Sequence, residues 1–509
     1  MKIMSEAKKL IVIPFLLCCL FLNTAQAQSQ FGEKPKLVVG IVVDQMRWDY
    51  LDRYYDRFTE GGFKRLINQG YSCNNCLINY LPTVTAIGHT SIYTGTTPAF
   101  HGICGNSFYI DGKKVVSCQD DNEKAVGSNS SKGNRSPRNM VSSTIGDQLR
   151  LHTDFRSKVI GVSYKDRAAI FPAGHSANAA YWLDTKNMCF ITSTYYMNEL
   201  PAYVKQMNTD LKNNKEVQKA GERIGFTALC GTIITDMAIA AMRGEHLGQG
   251  EATDMLCVSY SQTDIIGHEW ATRGQHTDEA YLTLDRDLAR LISALDTQVG
   301  QGNYLLFLTA DHGGAHNWRF MQEHKLPAGP WNSDEMKERA YDNISNDIGE
   351  SSKFIADVLD YRVFLDWEKI RESGLVTSQM EQHVLWELQK EPNIMFAAVF
   401  KDLANSTLPP VLRERALMGY YPGRSGDLIF IPKPGYYEYG AESSPTGTTH
   451  GEWNPYDAHI PCLFYGWRVP HGATSREVHI TDIAPTVCQL LHIQQPNACT
   501  GSPITEITK

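Results

Sequence analysis

Six short runs of aliphatic and β-branched residues punctuate this chain: "LVVGIVVD" (37–44), "KVIGVSY" (158–164), "DMLCVSY" (254–260), "YLLFLTAD" (304–311), "LIFIP" (428–432) and "PCLFYG" (461–466). None alternates apolar with polar residues, so none is built to keep one face in water. Continuous apolar strands belong to a parallel sheet covered on both faces. Between them lie amphipathic segments such as "TDEAYLTLDRDLARLISALDTQV" (277–299), with apolar residues at i, i+3, i+4 and i+7. The alternation predicts an α/β fold, a largely parallel central sheet flanked by helices. Residues 185–240 and 320–425 carry mixed helical patterns and no obvious chemistry, and are expected as cap or lid insertions around that sheet.

In open α/β sheets ligands sit beyond the carboxyl ends of the strands, so the residues that follow each run matter most. The first run ends in Asp44. The second leads into Tyr164-Lys165-Asp166-Arg167, the third into "SQTDIIGHEW" with Asp264 and His268, and the fourth ends in Asp311-His312. Taken singly, each is more often an Asx-turn, a cap or a surface pair. Together they aim carboxylates, imidazoles and cations at one edge, which chance turns do not explain.

Carboxylates and imidazoles in this mixture suit Zn²⁺. Two ligand sets are expected: Asp264 and His268 with one more histidine, and Asp44 with Asp311 and His312. Three protein ligands leave one position open on each ion, the mark of a catalytic site. In "LPTVTAIGHTSIYTG" (81–95), Thr83 and Thr85 lie where an extended segment turns into a helix, so a hydroxyl there meets the positive end of the helix dipole. An ordinary threonine at such a place is an N-cap; beside zinc it becomes a nucleophile.

The N-terminus reads as an export signal over residues 1–27, with Lys2, Lys8 and Lys9 before "LIVIPFLLCCLFL" and small residues in "AQA". Its apolar run is shorter than the ~20 residues a membrane span needs, and nothing downstream is long enough either. The mature chain is expected as one exported catalytic domain, residues 28–509, placed in the periplasm or secreted. Ten of the 12 cysteines follow the leader; Cys73 and Cys76 in "SCNNC" are expected as a local structural disulfide. The net charge of -8 offers no basic stripe for nucleic acid.

The segments "VVDQMRWDYL", "PTVTAIGHTSIYTGTTPAFHGICGN", "SYKDRAAIFPAGHSANAAYW", "SQTDIIGH", "TADHGG" and "THGEWNPYDAHIPCLFYG" resemble the alkaline phosphatase superfamily across nearly the whole mature chain. Within it they are most similar to the phosphate-irrepressible exported bacterial alkaline phosphatases, with a core similar to the nucleotide pyrophosphatase/phosphodiesterases. The resemblance implies a two-zinc phosphate-monoester hydrolase working through a phosphothreonine on Thr85. It implies one zinc on Asp264, His268 and His450, preferred to His459, and the other on Asp44, Asp311, His312 and Thr85. Asn106, Lys165 and Arg167 match the phosphate-holding set. Three aspartates and the Thr85 alkoxide balance two zinc ions, and Lys165 with Arg167 then matches a monoester dianion. The alternative is a phosphodiesterase or nucleotide pyrophosphatase on the same metals. A sulfatase is disfavoured, since no Cys or Ser stands in a C/S-x-P-x-R context.

Overall fold

Ten strands build the main sheet of this computed structural model, which describes residues 34–348, 353–440 and 443–508. The leader expected over residues 1–27, and with it Cys18 and Cys19, lies outside the described residues. In chain order the strands are β1 Leu37–Val43, β2 Tyr71–Cys73, β3 Ala125–Val126, β4 Val159–Ser163, β5 Ala179–Asp184, β6 Cys189–Ser193, β7 Asp254–Tyr260, β8 Tyr304–Thr309, β9 Cys462–Gly466 and β10 Gly472–Thr474. Across the sheet they run β10-β2-β9-β8-β1-β7-β4-β5-β6-β3. The central strands β8, β1, β7, β4 and β5 are parallel. Every residue of β1, β7 and β8 is buried, which is why their sequences show no alternation.

The helices that matter for the site are α1 Thr85–Thr94, α2 Asp166–Ala173, α3 Leu229–Gly244, α4 Gln262–Trp270 and α5 Gln275–Gln298. The α5 stripe of Tyr281, Leu284, Leu288, Leu291, Ile292 and Leu295 is buried, each side chain contributing ~1.5–3 kcal/mol of hydrophobic stabilisation. Within the region 185–240, β6 joins the main sheet and α3 packs on β7 and α5. That part of the chain completes the sheet's own layers. All ten residues of α1 are buried, polar ones such as Thr85, His89, Thr90, Ser91 and Thr94 included, because the helix runs through the core rather than along its surface. It ends at Gly95, whose φ of 66° supplies the left-handed C-cap.

Two apolar runs behave differently from expectation. Residues 462–466 do join the main sheet, but β9 lies antiparallel to β8, with Thr309 opposite Cys462. Leu428–Pro432 belongs to a separate four-stranded antiparallel sheet with Ile355–Leu359, Arg362–Leu365 and Ile394–Val399. Leu428 and Phe430 face one apolar cluster there, and Ile429 and Ile431 face another. A strand covered on both sides is uniformly apolar whichever way its neighbours run. The expected Cys73–Cys76 bridge is absent: all ten described cysteines are free thiols. Both of these side chains meet Cys462 across the sheet instead. Among the described residues no single helix is long and apolar enough to cross a membrane.

Candidate active site

Parallel strands deliver their C-terminal tips to one edge, and here the tips of β1, β4, β7 and β8 do so. Asp44 follows β1, Lys165 follows β4, Asp264 and His268 share one face of α4 after β7, and Asp311-His312 follows β8. His450 reaches the same place on the loop before the short helix Pro455–Ala458. Ligand atoms of Asp264, His268 and His450 lie within 4.8 Å of one another, and so do those of Asp44, Asp264 and His312. Asp264 therefore touches both groups, where Asp311 was expected to complete the second. Asp311 stays adjacent, with Oδ2 3.5 Å from His312 Nε2. His459 lies apart, its Nε2 2.9 Å from the Asn74 carbonyl and its ring stacked on Trp48.

The donor set fits divalent metal. Nδ1 of His268, His312 and His450 is 2.9, 2.9 and 2.7 Å from the carbonyls of Thr448, Gly313 and Thr83. Donation there fixes the tautomer that leaves Nε2 as the free lone pair. Burial and the neighbouring His312 ring, stacked at 3.5 Å, hold the His450 imidazole well below its ordinary range, so it stays neutral as a ligand must. Asp44 Oδ1 is a buried oxygen with no hydrogen-bond partner, and the equally buried Asp311 Oδ2 faces the imidazole nitrogens of His89 and His312 at 3.1 and 3.5 Å. Burial and the Asp311 charge push the Asp44 carboxyl up. Burial raises Asp264 too, but His268 and Lys165 outweigh it and hold that carboxyl low. Unpaired carboxylate oxygens facing free imidazole nitrogens are what a cation satisfies.

Thr85 is the first residue of α1. Its Oγ1 stands 3.5 Å from His312 Nε2 and 3.4 Å from Lys165 Nζ. The Lys165 ammonium is wedged between Asp44 Oδ2 at 2.7 Å and Asp264 Oδ2 at 2.6 Å. Burial alone would lower its pKa; the two carboxylates reverse that and raise it. Asn106 is tied to the start of α1 by the Ala86 N–H, which donates to its Oδ1 at 3.0 Å. Arg167, at the start of α2, lies 3.6 Å from Asp166 Oδ1, and its buried Nε has no partner. One cluster thus holds Asp44, Thr85, Lys165, Asp264, His268, Asp311, His312 and His450, with Asn106 and Arg167 at its border.

Several contributors were not legible in the sequence. Gln45 adopts φ 60° just after β1, an uncommon conformation for a side-chain-bearing residue. Its Nε2 donates to Asp264 Oδ1 at 2.9 Å and its N–H to Asp311 Oδ1 at 3.2 Å. His89, one helical turn after Thr85, puts Nδ1 3.1 Å from Asp311 Oδ2; the i,i+4 spacing was the available signal. Gly88 makes the helix-to-tip contact possible, since a Cβ there would lie 2.3 Å from the Asp311 carbonyl oxygen. From the second sheet, Tyr361 packs over Gly451, next to His450.

A sequence model of the type I phosphodiesterase/nucleotide pyrophosphatase family matches residues 38–455. The chain belongs to that family. Within this branch of the alkaline phosphatase superfamily it groups with the PafA-like enzymes and is itself an enzyme of that class. It is 42% identical to alkaline phosphatase PafA of Elizabethkingia meningoseptica, over 93% of this chain and 94% of that one. A Myroides odoratus relative named calcium-transporting ATPase is 41% identical over 96% and 97% of the two chains. The crystal structure of wild-type PafA superposes with a TM-score of 0.89, at 41% identity, covering 94% of this chain and 99% of that one.

Proposed function

We propose that this family member is an exported phosphatase that hydrolyses small phosphate monoesters with two Zn²⁺ ions and Thr85 as nucleophile. The observation that carries this reading is the placement of Thr85 Oγ1 between the carboxylate–imidazole cluster and the Lys165 ammonium. One ion would be held by Asp264, His268 and His450, and the other by Asp44, Asp311, His312 and Thr85. Bound there, two divalent cations supply the charge that stabilises an attacking alkoxide and a departing oxygen.

The chain's own residues do the rest. The first turn of α1 orients the Thr85 hydroxyl, whose oxygen forms a bond to phosphorus as the ester oxygen leaves in line. Water then cleaves the phosphothreonine and restores the hydroxyl. Asn106, Lys165 and Arg167 hold the non-bridging oxygens; the unpartnered Arg167 Nε is a donor available to one of them. A solved structure of the PafA relative is a variant changed at one threonine, one asparagine, one lysine and one arginine. The same four residue types stand here in the same order, which supports the assignment.

The family's name gives a diesterase reading some weight. The two buried or half-buried cations favour the monoester, because a dianion uses both while a diester leaves one unopposed. The decisive experiment compares an aryl phosphate with its methyl ester on protein shown by metal analysis to hold two zincs per chain. Preference for the monoester is expected, and a large preference for the diester overturns the reading. Rapid quench with substrate should leave phosphate on Thr85; a two-zinc protein that never acquires it has another nucleophile.

A further inference from the structure

Beneath the sheet edge lies a second cluster that the phosphatase chemistry does not use. Cys73 ends β2, Cys76 opens the short strand Cys76–Leu77, and Cys462 opens β9. All three are almost fully buried. The antiparallel register pairs Leu463 with Ser72 and Phe464 with Tyr71, which puts Cys462 opposite Cys73 one step further along. On the other side of the Asn74-Asn75 turn, Cys76 pairs with Ile460. Cys73 and Cys76 each lie near enough to Cys462 for their thiols to interact with it. Cys462 thus has a sulfur neighbour on each side, whereas Cys73 and Cys76 both turn toward it.

We infer that Cys462 is the shared partner of a single disulfide, formed with Cys73 or Cys76, that staples the segment 73–76 to β9. The directly opposed pair Cys73 and Cys462 holds its Cβ atoms ~4.5–5.5 Å apart, close to the ~3.5–4.5 Å a disulfide spans. The reaction is exchange with an external disulfide of the dithiol-oxidoreductase or oxidised-glutathione class. The Cys462 thiolate attacks that disulfide and expels one thiol. A neighbouring cysteine thiolate then displaces the second, so two cysteine protons are lost and the donor leaves as two thiols. The remaining cysteine sits beside the new bond and can attack it, moving the bond from one neighbour to the other. The Cys462 contact, together with burial, holds the Cys73 thiol up, so a folded reduced site exchanges slowly and the bond forms as the sheet edge closes.

Long-range closure between residues 73 and 462 restrains the unfolded chain far more than a local 73–76 loop would. It also fixes β9, whose first residue pairs with Thr309, two residues before Asp311. No part of the inference depends on the native leader, which can be tested separately.

The test places the chain in an oxidising compartment of a host, with a host export signal in place of residues 1–27. Free thiols are trapped by acid quench and alkylation in denaturant, and peptides are mapped without reduction. The expected result is one disulfide per chain containing Cys462, with the third cysteine alkylated and phosphatase turnover unchanged on reduction. In Cys73→Ser the bond should move wholly to Cys76–Cys462, and in Cys462→Ser both should vanish. A wild-type chain with Cys462 fully alkylated, or with a Cys73–Cys76 bond, overturns the inference. Thermal unfolding gives a second readout: reduction should lower the Tm of the wild type and leave that of Cys462→Ser unmoved.

Discussion

At the scale of single residues, the site separates groups that react from groups that hold. Thr85→Ala removes the hydroxyl placed between the His312 imidazole and the Lys165 ammonium, and should lower kcat by at least ~10³-fold with zinc content intact. Lys165→Ala should reduce kcat/KM for an aryl phosphate on the order of 10²-fold while sparing its methyl ester, measured side by side. His89 and Gln45 act at one remove, by orienting Asp311 and Asp264. Most members of the cluster were readable because each follows a strand or starts a helix. Gln45 was not, because a left-handed glutamine whose partners lie on the neighbouring strands, more than 200 residues on, leaves no local pattern. His450 and His459 differ only in how their loop folds back, a matter for tertiary structure; the family resemblance favoured the first, and the structure puts it in the cluster.

Among the elements, α1 and the tip of β8 approach so closely that only glycine fits at position 88. Gly88→Ala would set a methyl 2.3 Å from a backbone oxygen, which should cost ~1–3 kcal/mol in denaturant unfolding and loosen Asp311. The second sheet has its own sensitive point. Asp427 accepts from the Leu365 N–H and the Trp367 indole, yet burial pushes its carboxyl from 3.8 up to about 6. A raised folded-state value means the fold binds the proton more tightly than the unfolded chain does. The resulting stabilisation is present below the ordinary value and lost as pH rises through about 6. The Tm difference between Asp427→Asn and wild type should therefore shift in the variant's favour between pH 4 and pH 7. The six apolar runs were legible as strands, whereas their direction, their sheet membership and the shorter strands such as Cys189–Ser193 were not. A run such as 428–432 is apolar because both faces are covered, and the cover here is a different pair of layers.

For the molecule as a whole, the site is held by segments from residue 44 to residue 450, so metal bound there would be coupled to the fold. Chelation should abolish turnover and lower Tm, and added zinc should restore both, since a ligand that binds only the native state stabilises it by mass action. The spacing of the ligands also has a consequence in time. A chain threaded out of a ribosome or across a membrane in N-to-C order presents Asp44 first and His450 only when little remains to follow. Until that last imidazole arrives one ligand group is incomplete, so a truncated or stalled chain should stay inert rather than hydrolyse esters before it reaches its destination.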